Sequence, residues 1–129
     1  MAPHLTINAV AKQTGLSAHT LRYYERIGLI APVGRAPGGQ RRYDAADLAW
    51  LDFLLRLRST GMPISQMQAF ARLRAAGAAT VPARRQMLEI HLDEVLAHLA
   101  ALQRNADVLQ AKIAHYRALE AGVVPASST

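Results

Sequence analysis

The segment Leu16–Gly28, with the sequence LSAHTLRYYERIG, decides the fold of this chain. Ser17 is of the type that caps a helix by accepting a hydrogen bond from a backbone N–H in the first turn. Beyond this cap, helical spacing places Leu21 and Tyr24 on one face and four polar side chains on the other: His19, Arg22, Tyr23 and Arg26. Guanidinium, phenol and imidazole groups bind phosphates and base edges, so the second face indicates a nucleic-acid contact.

The residues before this segment predict a supporting helix with Thr6 as its cap. The small Ala11, then Gly15 four residues later and Leu21 six residues after that, have the spacing of a helix-turn-helix. An ordinary helical hairpin with a solvated basic face has the same spacing, so this pattern alone leaves both interpretations open.

Length and charge fit a small nucleic-acid-binding protein. The 129 residues allow one domain plus an extension, and 51% apolar but only 5% aromatic residues favour helices packed with Leu and Ala. The net charge is +6; residues 1–60 hold eight Lys/Arg against four Asp/Glu, and the remainder seven against five. The positive excess therefore leans toward the helix-turn-helix half, although a basic but inert surface is a common alternative.

Several protein classes are disfavoured by what the sequence lacks. Without cysteine there are no disulfides, thiolate metal sites or thiol sensors. We find no paired carboxylates, Ser/His/Asp set or metal cluster, so we expect neither an enzyme nor a cofactor. There is no signal-peptide pattern and no apolar run of about 20 residues, so we expect a cytoplasmic protein without a membrane span.

Two further segments complete the predicted DNA-binding body. Pro and Gly between Ile30 and Tyr43 predict a turn between short extended arms, a wing that lies along a DNA backbone. Asp44 starts a helix with two apolar stripes, which Gly61 can end in the left-handed conformation. Ser65 and Gln68 predict a capping box for a short helix that runs to about Arg74.

A heptad seam dominates the rest of the chain. Apolar positions alternate at spacings of four and three, which is typical of a coiled coil, at Leu88, Leu92, Val95, Leu99, Leu102, Ala106, Leu109, Ile113 and Tyr116. At about 1.5 Å per residue the helix would be about 57 Å long, against a radius of gyration of roughly 14 Å for a compact domain of this length. We therefore predict a homodimer, with a single amphipathic helix folded onto its own domain as the alternative.

Charges beside the seam weakly favour an antiparallel pair centred near residue 104, which sets Glu89 beside Arg117. Met87 and Ile90 lie off the seam and are expected to pack on the DNA-binding body. His91 and His98 could bind a metal, but flank residues of a coil are commoner, and we predict no metal site. The predicted domains are residues 1–75 for the winged helix-turn-helix, 76–82 for a linker, 83–120 for the antiparallel coiled coil and 121–129 for a flexible tail.

This order of elements resembles the MerR family of bacterial transcription regulators over nearly the whole chain. The motifs that carry the resemblance are Leu21-Arg22-Tyr23-Tyr24-Glu25, Ile27-Gly28-Leu29-Ile30, Gly39-x-Arg41-x-Tyr43 and Leu57-Arg58-x-x-Gly61. The resemblance implies that Arg22 and Tyr23 contact DNA, that Arg41 and Tyr43 hold the flanking backbone, and that Arg58 and Thr6 meet phosphates. With the recognition-helix residues, the predicted DNA-binding set is Thr6, Ser17, His19, Arg22, Tyr23, Tyr24, Arg26, Arg41, Arg42, Tyr43 and Arg58.

The resemblance also implies a mechanism. Family members bind inverted-repeat promoter sites as dimers and, when activated, bend and untwist an overlong spacer so that RNA polymerase engages both promoter elements. Residues 53–62 are similar to the branch that responds to aldehydes and thiol stress, but Arg56 stands where that branch has a cysteine. Arg56 is expected either to pair with Glu89, Asp93 or Glu94 of the second copy or to remain exposed without a pair. A purely repressing or architectural DNA-binding protein without an effector switch is the alternative function.

Overall fold

The computed structural model describes residues 5–31, 39 and 42–123. The elements are β1 (Leu5–Thr6), α1 (Ile7–Thr14), α2 (Ala18–Arg26), β2 (Arg42–Tyr43), α3 (Ala45–Ser59), α4 (Ile64–Ala75) and α5 (Val81–Glu120). A 3-10 turn, Ala78–Thr80, precedes α5. The fold is mostly helical, as the sequence predicts.

The predicted helix-turn-helix is confirmed at the level of its turn. Gly15 has a φ of 77°, a left-handed conformation that glycine adopts without the steric cost of a Cβ atom. Its backbone N–H donates to the carbonyl of Ala11 at 2.9 Å, which ends α1. Two residues later the Ser17 cap opens α2, so the chain reverses within a very short connection.

The two strands pair in a way that the sequence did not predict. β1 and β2 are antiparallel, with Leu5 opposite Tyr43 and Thr6 opposite Arg42. β2, the strand that follows the predicted wing, is therefore held by β1, which directly precedes α1. The predicted turn itself falls mostly on residues 32–38, 40 and 41, outside the described part of the chain.

The core of the first unit is formed by both faces of α3, as its two apolar stripes predict. Trp50, Leu51, Leu54 and Leu57 are buried on this helix. Asp44 and Asp47 form a reciprocal capping box at its start, with hydrogen bonds of 2.9 and 3.0 Å. Gly61, with a φ of 92°, follows its end.

The predicted capping box of α4 is wrong. Pro63 is the N-cap residue and no side chain caps this helix. Proline fixes its own φ and suits the entry to a helix, so the helix begins one residue before Ser65. The amide of Gln68 is instead directed to another element, as described below.

Contacts divide the chain into two units, Met1–Glu89 and Ile90–Thr129. The division lies inside α5, whereas the sequence predicts a linker at residues 76–82. Met87 and Leu88 pack against the core of the first unit, which explains why the first turns of α5 belong to it. The prediction was correct for Met87 and wrong for Ile90, whose side chain is 62% exposed.

Candidate nucleic-acid interface

The start of α2 is fixed by its own side chains. Ser17 Oγ accepts a hydrogen bond from the backbone N–H of Thr20 at 3.0 Å and lies 2.9 Å from the Thr20 hydroxyl. In the same way, Thr6 Oγ1 accepts from the N–H of Ala9 at 3.2 Å and caps α1. Both capping residues are exposed, so the N-termini of α1 and α2 lie at the surface.

The predicted outward face of α2 is exposed. His19, Arg22, Tyr23 and Arg26 all lie at the surface, and the Tyr23 side chain is 39% exposed. The guanidinium carbon of Arg26 lies 5.6 Å from the centre of the Tyr23 ring, within the range of a cation–π contact. This contact restricts both side chains, and Arg26 as a whole remains exposed. The face can therefore present two guanidinium groups and a phenol to a polyanion.

Burial corrects two of the predicted DNA contacts. Tyr24 is only 6% exposed and Tyr43 is fully buried, and both belong to the hydrophobic core. Tyr24 lies three residues after Leu21, so the two share the inner face of α2. A ring buried to this degree packs the body rather than covering a DNA backbone. We therefore assign both tyrosines to the core.

Two residues that the sequence analysis did not single out for this site hold the end of α2. Trp50 Nε1 donates to the carbonyl of Leu29 at 2.8 Å, and Gln68 Nε2 donates to the carbonyl of Ile27 at 2.9 Å. The backbone N–H of Leu29 in turn donates to the Tyr24 carbonyl at 2.9 Å. Side chains of α3 and α4 thereby fix the segment that leaves α2. The sequence offered one signal for the Trp50 contact, because a buried indole N–H needs a hydrogen-bond acceptor.

The remaining cationic candidates lie on other elements. Arg42 on β2 and Arg58 in the last turn of α3 are exposed. Arg41 lies outside the described residues. Arg56 Nη2 lies 3.9 Å from Asp52 Oδ1 on the same helix, with both side chains more than two-thirds exposed. Such an exposed pair contributes little to stability.

The start of α3 carries two carboxylates, Asp44 and Asp47, whereas the outward face of α2 carries the cationic Arg22 and Arg26. Burial raises the pKa of the Asp47 carboxyl, and its hydrogen bond with the Asp44 backbone acts in the opposite direction. Asp44 and Asp47 satisfy each other's backbone N–H groups, so their role is to start α3. These carboxylates therefore belong to the architecture of the body.

The predicted seam of α5 is largely exposed in a single copy. The exposed fraction is between 51% and 64% for Leu92, Leu99, Leu102, Leu109, Ile113 and Tyr116. Val95 and Ala106 are half-buried, and Leu88 packs on the body. Glu89, the residue expected to face Arg117 of a second copy, forms an ion pair with Arg85 one turn earlier.

Among residues 5–31, 39 and 42–123, no three His, Cys, Asp or Glu side chains come together in a way that could hold a metal ion. Within the same ranges, no helix combines the length and the apolar character that crossing a membrane requires.

Two family models match the chain. Residues 5–73 match the MerR HTH family regulatory protein model, and residues 48–121 match the model described as MerR, DNA binding. The matches overlap on α3 and α4 and together reach from β1 to the end of α5.

Individual relatives agree with these matches. The chain is 36% identical over 116 residues to an uncharacterised HTH-type transcriptional regulator of Haemophilus influenzae, covering 90% of this chain and 86% of the relative. It is 45% identical over 84 residues to the regulator AdhR of Bacillus subtilis, covering 65% and 60%. The crystal structure of HiNmlR, a MerR family regulator lacking the sensor domain, bound to promoter DNA, superposes with a TM-score of 0.85 at 35% identity, covering 92% of this chain and 94% of that one.

Proposed function

The chain belongs to the MerR family of helix-turn-helix transcription regulators, and we propose that it binds an inverted-repeat promoter site as a homodimer. The observation that carries this proposal is the exposed cationic face of α2, with Arg22, Tyr23 and Arg26 on a helix whose opposite face is buried. Promoter DNA in the HiNmlR structure supports the same ligand for this chain.

Arg22 is the residue that we assign to base reading. It lies in the middle of α2 on the exposed face, where a guanidinium fork can reach the O6 and N7 atoms of a guanine. Tyr23, His19 and Arg26 flank it on the same face. Arg42, Arg58 and, by its motif, Arg41 are assigned to the phosphate backbone, because they lie on elements other than the recognition helix. Contacts of that kind fix register without reading sequence.

The homodimer is inferred from the seam of α5. In an antiparallel pair centred on residue 104, Leu92 meets Tyr116, Leu99 meets Leu109 and Leu102 meets Ala106. Every seam position except Leu88, which packs on the body, is thereby matched by another seam position. Such a pair presents two equivalent recognition helices, and a two-fold dimer therefore requires an inverted repeat in the DNA.

Regulation is proposed to act through the DNA between the half-sites. Recognition helices that hold two half-sites can bend or untwist an overlong promoter spacer, and RNA polymerase then engages both promoter elements. The sequence of the spacer contributes through its deformability. A DNA-binding protein that only represses or organises DNA would use the same contacts, so the chemistry of α2 favours neither.

Transcription in vitro separates these two functions. The wild-type protein is added to RNA polymerase and two promoters that carry the same inverted repeat, one with a lengthened spacer and one with the ordinary spacer. A promoter-distorting regulator raises transcription from the lengthened promoter, alone or with its effector, and lowers it from the other. The operator is first obtained by sequencing the DNA that copurifies after crosslinking. Failure to enrich any inverted repeat would contradict the proposed function.

A further inference from the structure

A groove on the first unit is built from α3, α4 and the start of α5. No residue of α2 lines it. We call it the aromatic groove; it has a volume of about 400 Å³ and is lined chiefly by Ala49, Trp50, Phe53, Phe70, Arg74 and Arg84. The Trp50 and Phe70 rings stack with centroids 5.9 Å apart and planes at 14°, and the Phe53 centroid lies 5.7 Å from that of Phe70. Its lining is therefore a set of rings beside a small alanine.

Two guanidinium groups lie at this lining. The guanidinium carbon of Arg74 is 4.2 Å from the centre of the Trp50 ring. Arg84 donates through Nε to the Thr80 hydroxyl at 3.0 Å and through Nη2 to the Gly77 carbonyl at 3.3 Å. Both acceptors are neutral, so these bonds orient the Arg84 guanidinium without compensating its charge. Burial raises the pKa of Asp47, and the positive charge of Arg74 lowers it.

We propose that the aromatic groove binds a small aromatic carboxylate. A planar ring is complementary to the aromatic and alanine lining, and a carboxylate is complementary to the fixed guanidinium of Arg84. Inorganic phosphate would leave the apolar lining unused, and an aromatic cation would be repelled by both arginines. If the chain is a transcription regulator as proposed, this ligand is its effector. Binding of the ligand to the groove does not depend on the proposed function; only its effect on transcription does.

The groove is connected to the DNA-binding face by one side chain. Trp50 lines the groove, and its Nε1 donates to the carbonyl of Leu29, three residues after the end of α2. Trp50 is 7% exposed, so a ligand in the groove reaches only a small part of the residue whose N–H holds the segment after the recognition helix. Ligand binding and operator affinity are expected to change each other reciprocally.

Trp50 is the only tryptophan of the chain, so its fluorescence reports on the groove directly. We would titrate the full chain with benzoate, using benzamide as the neutral analogue of the same shape and acetate as the charge without the ring. The expected result is a saturable change with benzoate and at least about tenfold weaker responses with the other two, the loss expected for one charge-assisted contact.

Variants locate the site. Arg84→Gln should weaken the benzoate response about tenfold, and Ala49→Leu should abolish it by filling the groove. Arg72→Gln is the matched control, because Arg72 is exposed on α4 and does not line the groove. Far-UV circular dichroism checks that each variant is folded. Ala49, which is exposed, keeps the test usable if Arg84→Gln unfolds.

Several outcomes would overturn the proposal. These are an absent or non-saturable response to benzoate, an equal response to benzamide, or a loss of response in Arg72→Gln. A change in sedimentation of Ala49→Leu would instead assign the groove to contact with a second copy. Operator affinity measured without benzoate tests the proposed function separately. A wild-type protein that binds its operator but does not bind benzoate would refute the proposed ligand of the groove and leave the proposed function standing.

Discussion

The recognition helix α2 and the long helix α5 are completed in different ways. α2 has nine residues, and its inner face is filled by the chain's own core through Leu21 and Tyr24. α5 has 40 residues, and His91 is its one buried residue in a single copy. A short helix thus gains its order from the body that surrounds it. A long one with an apolar stripe gains its burial, in our proposal, from a second copy.

The largest expected effect comes from charging the seam of α5. Replacing Leu99 and Leu102 together by Asp should give monomers that bind the operator weakly. Burying the four leucines of a dimer is worth about 6–12 kcal/mol, at about 1.5–3 kcal/mol for each side chain. The double variant A97D and A100D adds the same charge at exposed positions off the seam and should remain dimeric. Sedimentation at micromolar concentration is the measurement, and a monomeric wild type would refute the coiled coil.

The next effect concerns the outward face of α2. Arg22→Ala should weaken binding to the operator by about 1–3 kcal/mol and relax the preference for one base pair in each half-site. Lys12→Ala, an exposed cation in the last turn of α1, is the control for loss of charge. Affinities for the operator and for random DNA are compared at one salt concentration. Equal losses on the two DNAs would argue against base reading by Arg22.

Arg58→Ala should have a smaller and less selective effect. If Arg58 contacts a phosphate, every DNA sequence should bind more weakly, and the slope of log affinity against log salt should fall by about one. Arg72→Ala removes the same charge from the exposed part of α4 and should leave the slope unchanged. A loss confined to the operator would contradict a backbone contact.

Gln68 should affect α2 without touching DNA. Gln68→Leu removes the donor to the Ile27 carbonyl, and the lost hydrogen bond should cost about 0.5–1.5 kcal/mol of the free energy of unfolding. As a positioning residue it should also lower operator affinity more than affinity for random DNA. Gln66→Leu, at an exposed position of the same helix, is the control. An unchanged ratio of the two affinities would make the role of Gln68 purely structural.

For thiol-reactive compounds we expect no effect on promoter activity. Formaldehyde and diamide should not change promoter activity through this chain, because it contains no cysteine and Arg56 is inert to thiol reagents. Arg56→Cys supplies the missing thiol and shows by mass spectrometry that the reagents reach this position. A rapid response of the wild type in cells without other sensors would contradict the prediction.

Local features of this fold could be predicted from the sequence. The caps at Ser17 and Asp44 and the turn at Gly15 follow from residue type and spacing within a few positions. The seam of α5 was predictable for the same reason, because a heptad repeat is a property of the helix itself.

Features that join distant residues could not be predicted. The pairing of β1 with β2 and the bond from Gln68 to Ile27 link residues about 40 positions apart. Gln68 has two donors and an acceptor that suit either a helix cap or a distant carbonyl, and only packing decides between them. Tyr24 was included in the predicted DNA-binding set although its helical spacing places it on the inner face of α2, and the spacing was the better guide.

The two-residue pairing of β1 with β2 has a consequence for how this protein can change over time. The segment between residues 31 and 42 is anchored at one end by the buried Leu29 and Ile30 and at the other by the ladder with β1. With both ends fixed, each doubling of such a segment's length costs only about 0.6 kcal/mol of closure entropy. An insertion or deletion between residues 31 and 42 is therefore expected to leave the free energy of unfolding of the body nearly unchanged.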